Sequence, residues 1–346
     1  MSSLLKYSGI ATKIRAMKSR LLSDKEYQDI AELKNVSEIA GYLKNTPAYM
    51  TLLKDVNEQT MHRGQIEELI SSATFKDYDS LFSFANQGQR KFLRIYAERF
   101  EIKVLKNCMT DLFSKGQIQE SSVRYQGFFD KHTTLDLDKI KVSKDMHSFI
   151  ESVEGTNYYK SLHLIEISEN HELQDYEIAL DFLHFSRVWK SKEKILDKHD
   201  RDLITKEYGS KFDMLNVHWI YRAKHYYKMT NAEIYSIIIP LNYKIRKQDI
   251  KNLVEAETED EFEKLVQASY YGRRFSNLTN ETIEEMYRYI LKHTLQADAK
   301  KNPYSMAIVY SYLYHKEHEI SRLIVEIESI RYQVDMQTTM DHIRKA

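Results

Sequence analysis

Glycine and proline are scarce in this sequence, whose 346 residues include 9 glycines and 3 prolines. Doubly wound sheets, barrels and sandwiches need many tight turns, and tight turns draw on these two residues. The scarcity therefore argues against those folds. It favours helices joined by short polar connections, and we predict an all-α fold.

Cysteine and long apolar runs are also lacking. Cys108 is the single cysteine, so the sequence predicts no disulfide framework and no Cys-based zinc site. The longest apolar run, YSIIIPL near residue 238, is far shorter than the roughly 18 residues of a membrane span. The first twenty residues have no apolar core of a signal peptide. We expect a cytosolic protein, or one that is bound to a membrane only through partners.

Neither sign of charge is in excess, because the sequence has 51 Lys and Arg residues and 51 Asp and Glu residues. Without a global positive field, the chain is not expected to bind nucleic acid or anionic lipid by itself. A helical scaffold for nucleic acid is therefore disfavoured. The interspersed charges are typical of long solvated helices with i,i+4 pairs.

The common catalytic and phosphate-binding motifs are missing. The sequence has no G-x-G-x-x-G, no Walker A loop, no G-x-S-x-G and no H-E-x-x-H. It also lacks the E-x-x-H spacing of di-iron helix bundles. These absences do not exclude a nucleophile or an acid/base site that has no local motif.

Signals for helix starts are frequent. Ser23 with Glu26, and Thr258 with Glu261, have the spacing of capping boxes. No segment alternates with period two beside hairpin turn signals. Apolar residues recur at helical spacing in residues 4–22, 65–70, 89–113, 213–228, 281–295 and 305–334.

Three segments share a loose pattern of a helix cap, apolar positions at helical spacing and a short polar stretch that ends in tyrosine. They are residues 35–49, 142–159 and 257–271, with Tyr49, Tyr158 and Tyr270 as the tyrosines. Their starts are about 110 residues apart, which is a domain-sized interval. Coincidence among helical segments is the alternative. The pattern predicts three similar helical domains that can exchange helices: 1–112 with the N-terminal helix, 113–220, and 221–346 with the long C-terminal helices.

The block HKEHE at residues 315–319 is the densest polar stretch in a helical pattern. His315 and His318 share a helix face, as two metal ligands could, and Glu317 lies between them. One hypothesis is therefore a metal-dependent all-α enzyme that uses these three side chains. Further ligands would have to come from distant positions, and none is apparent.

The alternative for the same block is a polar surface without chemistry of its own. The apolar residues around it form one stripe at helical spacing, and His315, Lys316 and Glu319 are predicted to lie largely off that stripe. We therefore favour a solvated face or a polar contact with a neighbouring element.

The block also carries a resemblance to a known family. Residues 312–323, YLYHKEHEISRL, resemble the C-terminal signature of the C subunit of V/A-type rotary ATPases, the counterpart of the d subunit in eukaryotic V-ATPases. That signature is approximately Y-[LI]-x-x-K-E-x-E-I-x-N-[LI]-R, and this sequence has SRLI at 321–324 where Asn-Leu-Arg is usual. Further similarities to the family lie in IRAMKSRLL at 14–22, in PAY at 47–49 and in the D-x-x-N-x-x-x-x-x-R-x-K pattern of 213–224.

The resemblance implies a non-catalytic rotor part made of three similar helical domains around a pseudo-threefold axis. In the family these domains form a funnel whose wide end receives the D and F proteins of the central shaft. Its base rests on the cytoplasmic face of the proteolipid ring, which is built from c/K proteolipids. Such a rotor part is peripheral, transmits torque for transport of protons or sodium ions, and needs no cofactor or metal.

Positions that match the family's motifs are candidate contacts with the shaft or the ring. The resemblance implies no catalytic, cofactor-binding or metal-binding role for them. Mixed-sign charge on stiff helices suits contacts that set the register between rotor parts. The candidates are Arg15, Lys18, Asn216, Arg222, Lys224, Lys316, Glu317 and Glu319.

Overall fold

The computed structural model of the protein describes residues 3–169, 171–275 and 282–345. Every regular element in these residues is helical, which confirms the all-α prediction. The chain divides into two compact units, one formed by residues 1–86 and 295–346 and the other by residues 87–294. Over the same described residues, no helix is both long and apolar enough to cross a membrane.

The helices follow the chain through the two units. The first unit begins with α1 Ser3–Lys18, α2 Asp24–Ala31, α3 Val36–Lys44, α4 Met50–Leu53 and α5 Arg63–Phe84. The second contains α6 Gln87–Lys115, α7 Gln126–His132, α8 Leu137–Lys141, α9 Met146–Ser152, α10 Tyr159–Glu166, α11 Leu173–Ile195, α12 Lys198–His225, α13 Asn231–Ile237, α14 Lys247–Glu255, α15 Glu259–Ala268 and α16 Tyr270–Arg274. Helix α17, Ile283–Lys301, starts in the second unit and ends in the first, which is completed by α18 Met306–Arg331 and α19 Met336–Lys345.

The predicted caps start their helices. Ser23 and Glu26 form the complete capping box at α2, each side chain accepting a hydrogen bond from the other's backbone N–H. At α15, Thr258 Oγ1 accepts from the N–H of Glu261, whereas the Glu261 carboxylate accepts from the N–H of Glu257. The segments with helical periodicity lie within α1, α5, α6, α12, α17 and α18 apart from a few end residues, and residue 281 lies outside the described residues.

The core of the first unit is built from both ends of the sequence. Ile30, Leu43 and Ile70 of α2, α3 and α5 pack in one cluster with Leu323 and Ile327 of α18, and all five side chains are fully buried. The apolar stripe of a helix has to be covered by another element. The N-terminal helices therefore depend on α18 for a complete core.

The second unit is organised by three long helices. α11 packs against α6 and α12, and the shorter helices α13 to α16 cover the C-terminal half of α12. Cys108 of α6 is fully buried. Burial raises the pKa of its thiol to about 12, which leaves it protonated and unreactive.

The three repeat segments share a local structure. In each, a side-chain cap starts a short helix, α3, α9 or α15, and the caps are Asn35, Asp145 and Thr258. A tyrosine exposed by 2% or less then follows, and these tyrosines are Tyr49, Tyr158 and Tyr271. The prediction of Tyr270 was one residue off, because α16 begins at that residue and turns Tyr271 into the core. The division at residues 112 and 220 stays a prediction.

Candidate functional site

The HKEHE block lies partly inside the core of the first unit. Lys316 and Glu319 are one turn apart on α18, each side chain is 3% exposed, and Lys316 Nζ lies 2.7 Å from Glu319 Oε1. The prediction that both residues lie largely off the buried stripe is therefore wrong. They continue the stripe between Leu313 and Leu323 at helical spacing, because a charged pair can take core positions when its members satisfy each other.

A hydroxyl and a backbone amide complete this pair. Tyr49 Oη donates to Glu319 Oε1 at 2.8 Å, and Lys316 Nζ lies 3.2 Å from the same hydroxyl. The N–H of Leu22 donates to Glu319 Oε2 at 2.6 Å. Burial, and then the Glu319 carboxylate, raise the pKa of Tyr49, so its hydroxyl keeps its proton. The network fixes α18 to the loop before α2 and to the segment after α3.

A second buried contact joins α18 to α5. Tyr312 Oη donates to Asp77 Oδ2 at 2.5 Å. Burial raises the pKa of Asp77, and the nearby Lys316 ammonium opposes that rise. Two polar links one turn apart therefore hold α18 against the N-terminal helices.

Glu326 lies on α18, two turns after Glu319. It is fully buried, and neither carboxylate oxygen has a hydrogen-bond partner among the described residues. Burial raises its pKa from 4.5 to about 9, with Arg322 opposing the rise. The carboxyl group is therefore neutral in the folded protein at neutral pH.

A Glu326→Gln variant is expected to flatten the pH dependence of stability. Between pH 6 and pH 8 the folded state keeps a proton on Glu326 that the unfolded chain has released, so wild-type stability falls as pH rises, until the pH passes about 9. The slope contributed is at most about 1.4 kcal/mol per pH unit. Urea unfolding at pH 6, 7 and 8, followed by circular dichroism, measures the difference between variant and wild type. Parallel pH profiles would contradict the assignment.

A cavity of about 360 Å³ lies in the first unit between α1, the end of α17 and α18. Two of the candidate contact residues, Arg15 and Lys18, line it, together with Lys300 and His315. The Arg15 guanidinium lies 5.3 Å from the ring centroid of Tyr304, at cation–π distance. The structure thus brings the N-terminal motif residues next to the first residue of the HKEHE block.

Among the described residues, the histidines of the block do not belong to a group arranged for a metal ion. His315 Nδ1 lies 2.6 Å from the carbonyl oxygen of Ser311, and its Nε2 lies 3.1 Å from Gln296 Nε2. This pattern fits a neutral ring that donates from Nδ1 and accepts at Nε2. Across residues 3–169, 171–275 and 282–345, no three His, Cys, Asp or Glu side chains are arranged to hold a metal ion. The arrangement of His315, His318 and Glu317 gives the metal hypothesis no support.

Asn216 of the second unit has an internal role. It is fully buried, its Nδ2 donates to the carbonyl of Ile239 at 3.0 Å, and its Oδ1 accepts from the N–H of Ile239 at 2.8 Å. A partner cannot reach these amide atoms. Asn216 fixes the loop after α13 to α12.

Asp213, one turn earlier on α12, was not selected from the sequence as a site residue. Its carboxylate accepts from three consecutive backbone N–H groups, at 2.6 to 3.1 Å, and from Tyr271 Oη at 2.9 Å. Burial raises the pKa of Asp213, and the backbone donors oppose that rise. The loop comes close because Gly209 lies under Tyr243, where a Cβ would be 2.5 Å from the Cγ of the ring. The donors are the N–H groups of Tyr243, Lys244 and Ile245.

Arg222 and Lys224 lie at the end of α12. Lys224 Nζ donates to the carbonyl oxygen of Val254, which ties α12 to α14. Arg222 is half-buried, donates to Tyr227 Oη at 3.1 Å and lies 3.7 Å from the Glu284 carboxylate. Of these two side chains, Arg222 is the one placed beside exposed aromatic surface, since Tyr227 is 64% exposed.

The repeat tyrosines share a chemical role that the sequence did not reveal. Each hydroxyl hydrogen-bonds to a buried carboxylate of a long helix, α18, α6 or α12. Burial raises the pKa of the second carboxylate, Glu101, to about 7. The pairs are Tyr49 with Glu319, Tyr158 with Glu101, and Tyr271 with Asp213.

The matches to known proteins extend over nearly the whole chain. Curated relatives named as the C subunit of A-type ATP synthase include the protein of Methanosphaera stadtmanae, 22% identical over 336 residues, with 92% of this chain and 82% of the relative covered. The protein of Pyrococcus horikoshii is 22% identical over 325 residues, with coverage of 92% and 84%. That of Thermococcus onnurineus is 24% identical over 334 residues, with the same coverage.

The family match agrees with the signature around Lys316 and Glu319. The sequence profile of the ATP synthase (C/AC39) subunit family matches residues 10–342, which include the core helices of both units. The resemblance seen in the sequence is confirmed, and the chain belongs to the ATP synthase (C/AC39) subunit family.

Proposed function

We propose that this chain is the non-catalytic central-stalk component that joins the D/F shaft of a V/A-type ATPase to its proteolipid ring. It acts as a rigid adaptor that transmits torque between ATP turnover and movement of protons or sodium ions. The observation that carries the proposal is the burial of Lys316 and Glu319 in a network that fixes α18 in the first unit. The signature residues are used to hold a helix in place, not to line a catalytic cleft.

Stiffness is the property that a torque-transmitting part requires. The long helices α6 and α12 have 29 and 28 residues, and the three tyrosine–carboxylate pairs fix long helices to the short capped helices around them. Buried polar contacts have directional geometry, so sliding of one helix past another would break them. This construction supports a rotor role.

The end of α12 offers a surface for a rotor partner. Tyr226 and Tyr227 are 60% and 64% exposed, and the guanidinium of Arg222 lies about 6 Å from both rings. Tyrosine and arginine are the side chains that most often dominate binding energy at interfaces. We infer that this patch contributes a contact to the shaft or the ring, on the cytoplasmic side of the membrane.

Co-purification tests the adaptor role. A tagged copy extracted from membranes in mild detergent is expected to bring down the D and F shaft proteins together with the proteolipid ring. Crosslinking mass spectrometry should link separate surfaces of the chain to the shaft and to the ring. An untagged strain is the control for carry-over of the ring.

A deletion strain supplies the functional readout. Inverted membrane vesicles without the chain are expected to lose ATP-driven ion transport, while the catalytic head still hydrolyses ATP. Recovery of a monomeric tagged chain, with wild-type ion transport in the deletion vesicles, would contradict the proposal.

A further inference from the structure

The cavity between α1, α17 and α18 has positive side chains in its lining and, among the described residues, no carboxylate. Arg15, Lys18 and Lys300 are exposed at its edge. None of the three lies within ion-pair distance of an Asp or Glu in the described part of the chain. Cations elsewhere do find such partners, for example Lys106 and Lys264, at 2.7 and 2.6 Å.

Two helix ends near the cavity do not neutralise this charge. α1 ends at Lys18 and α17 at Lys301, and a helix C-terminus carries about half a negative elementary charge. Two such ends supply about one negative charge against three full positive charges. The Asp77 carboxylate, which accepts from the hydroxyl of the lining residue Tyr312, adds at most one more negative charge. The three cations still outnumber these charges and favour an anion in the cavity.

The apolar walls of the cavity favour a ligand that is larger than an inorganic ion. Its volume of about 360 Å³ lies within the range of roughly 300–1,000 Å³ typical of small-ligand sites. An inorganic anion held by the cations would leave the apolar walls uncovered. These walls are formed by Ala11, Ile14, Leu21, Ala299 and Ile308.

We propose that this cavity binds a phosphate ester with a small apolar body. Arg15, Lys18 and Lys300 bind the phosphate, with Arg15 able to donate two parallel hydrogen bonds and the lysines acting as point charges. The apolar body packs against α1 and α18. A free phosphate ester and the headgroup region of an anionic lipid share this chemistry. The inference stands apart from the rotor role, because it rests only on the first unit.

Fluorescence titration of the full-length protein with 1-naphthyl phosphate tests the site. The double variant Arg15→Gln, Lys18→Gln is expected to raise the Kd at least roughly tenfold, because two charge-assisted hydrogen bonds are lost. Ala299→Trp is expected to abolish binding by filling the cavity while all three cations remain. Inorganic phosphate is expected to compete only weakly, since it covers none of the apolar wall.

A second probe and a matched control separate the outcomes. Lys190→Gln with Lys194→Gln removes the same charge from exposed positions of α11 and should leave the Kd unchanged. Flotation with phosphatidylglycerol–phosphatidylcholine vesicles tests the lipid source. If the cavity variants lose binding of the soluble ester but not of the vesicles, the ligand is a free phosphate ester. If they lose binding of the vesicles but not of the ester, the ligand is a lipid headgroup. Equal binding by the cavity variants and wild type, or no binding of either probe, overturns the proposal.

Discussion

A Lys316→Met variant is expected to lose about 3–5 kcal/mol of the free energy of unfolding of the first unit. The substitution leaves the Glu319 carboxylate buried without the ammonium group that compensates its charge. Water cannot replace that group easily, because the Glu319 side chain is 3% exposed. Hydrogen exchange measured by mass spectrometry over residues 306–331 and 35–53 should show faster exchange in both segments.

Two further variants separate the charge from the lost side chain. Lys316→Met combined with Glu319→Gln keeps an acceptor for the Tyr49 hydroxyl and buries no charge, so at least half of the lost stability should return. Lys34→Met, on an exposed lysine of the same unit, should change stability by no more than about 0.5 kcal/mol. A loss below about 1 kcal/mol in Lys316→Met would show that the pair does not hold α18.

An Asp213→Ala variant is expected to destabilise the second unit by about 3–5 kcal/mol. It leaves three backbone N–H groups of the loop after α13 and the Tyr271 hydroxyl without their acceptor. Each lost bond had a charged acceptor, and such bonds are worth roughly 1.5–3 kcal/mol singly, though their losses do not add. Both tryptophans, Trp189 and Trp219, lie in this unit, so urea unfolding followed by tryptophan fluorescence reports it directly.

Graded variants at the same helix check this result. Asp213→Asn keeps one carbonyl acceptor and should lose about half as much stability as the alanine variant. Asp202→Ala, on an exposed residue of α12, should lie within about 0.5 kcal/mol of wild type. If Asp213→Ala unfolds at the wild-type urea concentration, Asp213 does not organise the loop.

Helix positions could be predicted from the sequence because they depend on nearby residues. The box of Ser23 and Glu26 lies within three positions, and the structure starts α2 there. The long α6 and the C-terminal half of α12 likewise follow from apolar residues at helical spacing. Local cap signals also predicted the three capped repeat helices.

The candidate site was predicted less well, because polar residues have no periodic signal of burial. When the apolar stripe is defined by residue type alone, Lys316 and Glu319 are assigned to the surface, although both lie in the core. Asp213 was recognised only as the first residue of the D-x-x-N pattern. Its buried role was not predicted, because its donors are backbone groups 30 to 32 residues away. The buried tyrosine of the third repeat is Tyr271, one position after the predicted Tyr270, because α16 starts at Tyr270 and turns Tyr271 into the core.

By itself, the sequence determined that the chain is all-α, that it lacks the common nucleotide-binding loops and that it carries the C-terminal signature of its family. These properties depend on composition and on residues a few positions apart. Only the tertiary structure decided that Tyr49 meets Glu319 across 270 residues and that Arg15 and Lys300 face one cavity. The physical reason is that burial of a charge, and the partner that makes it tolerable, depend on which distant side chains pack together.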